Sequence, residues 1–120
     1  MATHNDLGKQ GEAIAANYLT GLGYELLEEN WIHGKAELDL VAYFNGQLIF
    51  VEVKTRSSTA FGQPEDFVGQ AKQKQLIRAA TAYVELMGHQ GEVRFDIVAV
   101  LFDTPNHYTI NHIQDAFWPF

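Results

Sequence analysis

The sequence contains no cysteine, which excludes disulfides, thiolate metal sites and thiol nucleophiles together and fits a reducing compartment. No uninterrupted apolar segment approaches the ~20 residues of a membrane span. The polar start Met1-Ala2-Thr3-His4-Asn5-Asp6 is not a signal peptide, so a cytoplasmic protein with no membrane contact is expected. Positive charge is scarce too. Eight Lys and Arg stand against 15 Asp and Glu, a formal net charge of −7. That argues against indiscriminate nucleic-acid binding, whose affinity comes mostly from cations neutralising phosphates. The five histidines, His4, His33, His89, His107 and His112, show no ligand spacing on a common face. Histidine-based metal or acid–base chemistry is therefore not expected, and most of them should lie at the surface.

What the chain does have is core material. Its 120 residues are 47% hydrophobic, with no low-complexity stretch or internal repeat, and predict one domain over residues 1–120. Leu7, Gly11, Ile14, Ala15, Tyr18, Leu19 and Leu22 follow the period of an amphipathic helix, opened by Asn5 or Asp6 and closed near Gly21 or Gly23. A strand is predicted over 24–32, then a turn at His33-Gly34-Lys35 and two strands over 36–43 and 47–56. Residues 57–69 form a loop long enough to touch a substrate. Leu76, Ile77, Ala80, Val84 and Met87 define a second helix over 70–87 with Gly88 as its cap. Strands over 93–102 and 107–113 follow, joined by a turn at Pro105-Asn106. The ending Ala116-Phe117-Trp118-Pro119-Phe120 is apolar and suits covering the sheet within the monomer, with dimer formation as the alternative. A hairpin followed by a helical crossover implies an α/β fold, a mixed sheet flanked by helices in the order αβββαββ.

The chemistry concentrates on the hairpin. Asn45-Gly46 is a strong two-residue turn signal. It sets Phe44 opposite Gln47, Asp39 opposite Glu52 and Glu37 opposite Lys54. Opposed Cβ atoms lie roughly 5 Å apart. Two carboxylates at that separation repel, or clasp one hard cation through oxygen ligands. Leu48, Phe50, Glu52 and Lys54 share one face of their strand, and Ile49, Val51 and Val53 the other. Apolar residues on both faces mean a covered, central strand, where a charge without a partner or metal is costly. The other reading is an ordinary half-exposed sheet with Glu37 and Lys54 as a weak cross-strand pair. Glu12 stands at the edge of the first helix's apolar stripe. From there it either reaches over the sheet toward the carboxylates or sits on the helix surface and favours the macrodipole. Lys54 and Arg56 continue the strand, while Lys72, Lys74 and Arg78 lie off the apolar stripe of the second helix, as a solvated face or a local DNA contact.

In order and spacing, several stretches together resemble the small bacterial proteins of the UPF0102 family, the YraN-like group. They are Gly11-Glu12 with Tyr18-Leu19, Gly23-Tyr24, Asn30-Trp31, Glu37-Leu38-Asp39-Leu40-Val41, Phe50-Val51-Glu52-Val53-Lys54-Thr55-Arg56, Lys72-Gln73 with Ala79-Ala80 and Tyr83, Arg94-Phe95-Asp96, and His112-Ile113 with Ala116-Phe117. That family is similar to a branch of the PD-(D/E)xK nuclease superfamily and to archaeal Holliday-junction resolvases. The resemblance implies a restriction-endonuclease-like core and a metal-dependent endonuclease that hydrolyses DNA phosphodiester bonds, on branched, junction or single-stranded DNA. A junction-cutting enzyme would need two sites acting together, hence a homodimer as a possible partner. By position, Asp39, Glu52 and Glu12 resemble the metal-binding acids and Lys54 the catalytic lysine. One or two Mg²⁺ or Mn²⁺ ions would be held by Asp39, Glu52, the Val53 carbonyl and Glu12, with Glu37 supporting Lys54 and Arg56, Lys72, Lys74 and Arg78 contacting DNA. Two positions depart from the family pattern: Ala36 stands where glycine is usual, and Ile32 where a basic residue is common. The alternative is a catalytically silent nucleic-acid-binding or protein-interaction module with the same fold.

Overall fold

The computed structural model describes residues 4–57 and 68–117. Its elements are α1 (His4–Gly21), β1 (Glu25–His33), β2 (Ala36–Phe44), β3 (Gln47–Arg56), α2 (Gln70–Met87), β4 (Val93–Thr104) and β5 (His107–Ile113). The αβββαββ order is the one predicted, and boundaries move by one or two residues, with α1 beginning at His4 and β4 running on to Thr104. The five strands lie in sequence order across one sheet. Neighbours are antiparallel except β3 and β4, which run parallel and are joined through α2. Among the described residues no helix is long and apolar enough to cross a membrane.

Alternation along β3 shows why the sheet is covered twice. Leu48 and Phe50 pack against Leu76, Ala79, Ala80 and Tyr83 of α2. Ile49 and Val51 point the other way, onto Ala15, Ala16 and Leu19 of α1. A strand apolar on both faces needs a layer on each side, and the two amphipathic helices supply one each. The hairpin turn is as the sequence requires: Asn45 and Gly46 have φ of 51° and 80°, the left-handed pair of a tight two-residue connection. Gly88 ends α2 at φ 63°, its N–H donating to the Glu85 carbonyl. Ala116 and Phe117 pack on the α2 side of the sheet, with Phe117 stacked 5.0 Å from Phe95. The predicted substrate loop lies, apart from its ends, outside the described residues, as do Trp118, Pro119 and Phe120.

Helix α1 lies so close to β3 that one position accepts only hydrogen. A Cβ on Gly11 would sit 1.9 Å from Thr55 Oγ1 and 2.9 Å from Thr55 Cβ. Gly11→Ala is therefore expected to cost about 1–3 kcal/mol through overpacking, read as a lower urea midpoint. It should also displace the neighbouring Glu12.

The pleat of β2 breaks at Asp39. Leu38 belongs to the α2-side core, yet Leu40, two residues on, belongs to the α1-side core, whereas residues i and i+2 of a regular strand share a face. The β1–β2 ladder passes from Glu29–Leu40 to Trp31–Leu38 without pairing Asn30 to Asp39. Asn30 itself is left-handed, φ 54°. The predicted β2–β3 register holds from Phe44–Gln47 to Leu40–Val51 and stops there. Direct pairing of Asp39 with Glu52, and of Glu37 with Lys54, is thus corrected. Beyond Leu40 the Asp39 side chain enters the ladder, its Oδ2 accepting the Val53 N–H at 2.9 Å.

A second polar cluster ties the sheet to α1. Asp96 on β4 is fully buried. Its carboxylate accepts Arg94 Nε at 2.8 Å and Nη2 at 2.9 Å, the Asp115 N–H at 3.1 Å, and pairs with His112 Nε2 at 2.7 Å. Arg94 Nη2 also donates to Tyr24 Oη at 2.7 Å, and the Tyr18 hydroxyl lies 3.0 Å from His112 Nδ1. Burial pushes the Asp96 carboxyl up, but the bonds from His112, Arg94 and Asp115 outweigh it and hold it below the usual carboxylate range. His33 and His107 are exposed as expected. His112 corrects that expectation, because its side chain is only 6% exposed.

Candidate metal centre

Three acids, Glu12, Glu37 and Asp39, gather where β2 and β3 part, and Asp39 links them to a fourth, Glu52. Glu37 and Asp39 come from β2, Glu52 from the covered half of β3, and Glu12 from α1, where the Gly11 contact with Thr55 presses the helix onto the sheet. One carboxylate oxygen from each of Glu12, Glu37 and Asp39 lies within 4.8 Å of the other two. Asp39 also touches Glu52, and Asp39 alone of these acids reaches the Val53 N–H. Glu52 is 5% exposed and rises from an apolar floor of Leu38, Phe50, Leu76, Phe95 and Phe117. Its one ion pair among the described residues is with Lys72 Nζ, 3.5 Å from Oε2.

Burial, then the hydrogen bond and the charge of Glu52, push Asp39 up to about 8; the Val53 N–H and Lys72 offset part of this. Burial and the Asp39 charge also raise Glu12, against the opposing pull of Asn30. A raised carboxyl favours its neutral form in the folded state. Its stabilising contribution is complete below the ordinary carboxylate range and is lost as pH rises through the folded value. Metal-free protein should therefore lose thermal stability, relative to Asp39→Asn, between about pH 4 and pH 8. Millimolar Mg²⁺ should restore that loss at pH 8, a difference that melting curves in EDTA and in Mg²⁺ will reveal.

The donor set fits a hard divalent cation: oxygen only, negatively charged and partly dehydrated. Val53 extends it. Within a strand the N–H and C=O of one residue face the same neighbour, so the N–H that meets Asp39 brings the Val53 carbonyl toward the same place.

The remaining expected residues divide. Lys54 is half-buried two residues beyond Glu52 and forms no ion pair with a described residue. Its expected partner Glu37 has joined Glu12 and Asp39 instead. Lys72, expected on a DNA-facing surface, lies against Glu52, although its side chain is still 45% exposed. Lys74, Arg78 and Arg56 are exposed, and Arg56 folds back onto the Thr55 carbonyl at 2.8 Å. Sequence reasoning missed Asn30. With its amide oriented by its surroundings, Nδ2 donates to Glu12 Oε1 and to Glu37 Oε1, each at 3.2 Å. The one available signal was its place in the family-like stretch Asn30-Trp31, because its partners arrive from α1 and β2.

A mixed five-stranded sheet in αβββαββ order, with helices on both faces and acids gathered at a broken hairpin, is the architecture of the restriction-endonuclease-like core. Comparison with known proteins narrows this. The model of Uncharacterised protein family UPF0102 matches residues 11–100. A UPF0102 protein of Flavobacterium psychrophilum is 47% identical over 120 residues, all of both chains. One of Bacteroides thetaiotaomicron is 48% identical over 119 residues, 99% of this chain and 98% of the relative. A third, of Christiangramia forsetii, is 48% identical over 120 residues and again covers both chains fully. The chain belongs to the UPF0102 family.

Proposed function

We propose that this protein is a metal-dependent endonuclease that hydrolyses DNA phosphodiester bonds. One observation carries the reading: Asp39, itself half-buried, lies against the buried Glu52, and among the described residues the one ion pair of Glu52 is with the half-exposed Lys72. Such an arrangement costs stability unless a cation compensates it. Asp39, Glu52, Glu12 and the Val53 carbonyl would hold Mg²⁺ or Mn²⁺, which when bound neutralises phosphate charge and acidifies a water.

The chain's own groups do the rest. The Val53 N–H pins the Asp39 carboxylate, so its orientation is set before any ligand arrives. Lys54, free of an acidic partner among the described residues, is available to orient the attacking water or to meet the charge developing on phosphate. Lys72 pairs with Glu52 and, with its side chain still 45% exposed, would also present its ammonium to the DNA backbone. Arg56, Lys74 and Arg78 supply the exposed cations along which the backbone runs. With a net charge of −7, that contact is local and strongly salt-dependent. Paired cuts across a junction need two such centres, hence a second copy of the chain.

The test is cleavage of labelled single-stranded, duplex, flapped and four-way-junction DNA in Mg²⁺ or Mn²⁺, with Glu52→Gln beside the wild type. Cutting by the wild type alone is the expected result. No cutting on any substrate, or equal cutting by the variant, would favour a binding module with the same fold.

A further inference from the structure

We infer that Asn30 is a positioning residue, whose amide holds Glu12 and Glu37 beside Asp39 in the geometry that receives the cation. This rests on the metal reading proposed above and adds two residues to it. Glu12 comes from a helix and Glu37 from a strand, and both are carboxylates that repel each other and Asp39. Among the described residues, the group that bridges them is the Asn30 Nδ2, 3.2 Å from an oxygen of each. A neutral amide offers two N–H donors from one nitrogen, so it joins two carboxylates without cancelling the charge a cation needs.

The backbone explains why this residue stands here. Asn30 lies on β1, an edge strand, at the position where the β1–β2 ladder omits a pair, and its φ is 54°. Asparagine is one of the few residues with a Cβ that adopts the left-handed region readily. The left-handed turn also coincides with the reversal of faces in β2 between Leu38 and Leu40. One residue thus sits at the break in the sheet and links the acids that the break gathers. Glu37 acquires a place beside Glu12 and Asp39, where the regular ladder would have set it against Lys54.

Groups that orient metal ligands typically contribute 10–100-fold to metal affinity. The discriminating variant is Asn30→Gly, which keeps the left-handed backbone available and removes the amide together with its Cβ. Mn²⁺ affinity is measured by calorimetry on the intact protein, with melting in EDTA recorded in parallel. About a tenfold weaker Mn²⁺ affinity is expected for Asn30→Gly. Adding Glu37→Gln to Asn30→Gly should then weaken binding less than Glu37→Gln does in the wild-type background, since the amide acts through that carboxylate. Unchanged affinity in Asn30→Gly, with or without a lower melting temperature, would overturn the inference and make Asn30 a purely structural residue. Fully additive losses would overturn it as well. A wild type that binds no Mn²⁺ would remove the metal reading itself, an outcome distinct from tight binding that is indifferent to Asn30.

Discussion

Asp39→Asn is expected to abolish metal-dependent cleavage, a fall of about 10³-fold or more, while making the metal-free protein more stable. The two effects share one cause. Asparagine is nearly isosteric, and its carbonyl oxygen still accepts the Val53 N–H that Asp39 Oδ2 accepts at 2.9 Å. The break in β2 therefore has no reason to move. What disappears is a charge that burial and Glu52 disfavour enough to lift the carboxyl to about 8. At pH 8 the relief should be worth about 1–2 kcal/mol, or ~3–8 °C in melting temperature. The loss of activity is expected because Asp39 meets Glu52 and lies within 4.8 Å of Glu12 and Glu37, so the proposed cation site would lose the ligand that joins them. A variant that loses activity while losing stability would show only that the fold was damaged. Opposite signs in the two assays mark a residue kept for function at the expense of stability.

Asp96→Ala should have the largest effect on folding, about 3–5 kcal/mol of destabilisation in urea unfolding. The carboxylate is fully buried and serves Arg94, His112 and the Asp115 backbone together. Removing it strands a guanidinium whose side chain is only 12% exposed, along with a backbone N–H. Breaking one partner of a buried ion pair costs more than the pair contributed. Arg94 keeps its bonds to Tyr24 Oη and Gln47 Oε1, which limits the loss to that range. The cluster lies on the α1 side of β4, away from the acids at the β2–β3 break. Any Asp96→Ala protein that remains folded at low temperature should accordingly bind divalent cation as the wild type does, measured at that same temperature.

Much of the fold was legible because its signals are local. Asn45-Gly46 set the hairpin register for the five pairs it governs, the apolar run over 48–51 marked a strand covered on both faces, and Gly88 closed α2. Glu12 was legible as a residue at the edge of a helical stripe. The rest failed where a repeat was extrapolated through an irregularity. Period-two alternation carried the register past Leu40, whereas Asn30 and Asp39 interrupt it, so Glu37 was assigned to Lys54 and found with Glu12. Arg94 and Asp96 could be read only as charges on a strand, because their partners Tyr24 and His112 arrive from distant parts of the chain. Lys72 looked like a surface cation by its helical phase, and only the packing of α2 against the sheet shows that it reaches Glu52.

Binding of the cation can be measured without knowing the DNA substrate, which makes it the most direct test. Manganese titrated into the protein at pH 7.5 and followed by electron paramagnetic resonance should lose free-ion signal to the wild type. The signal should return when Mg²⁺ is added, and Asp39→Asn should capture no Mn²⁺. Wild-type protein that leaves the free-ion signal untouched, or an Asp39→Asn protein that captures as much Mn²⁺ as the wild type, would contradict a metal centre at this cluster.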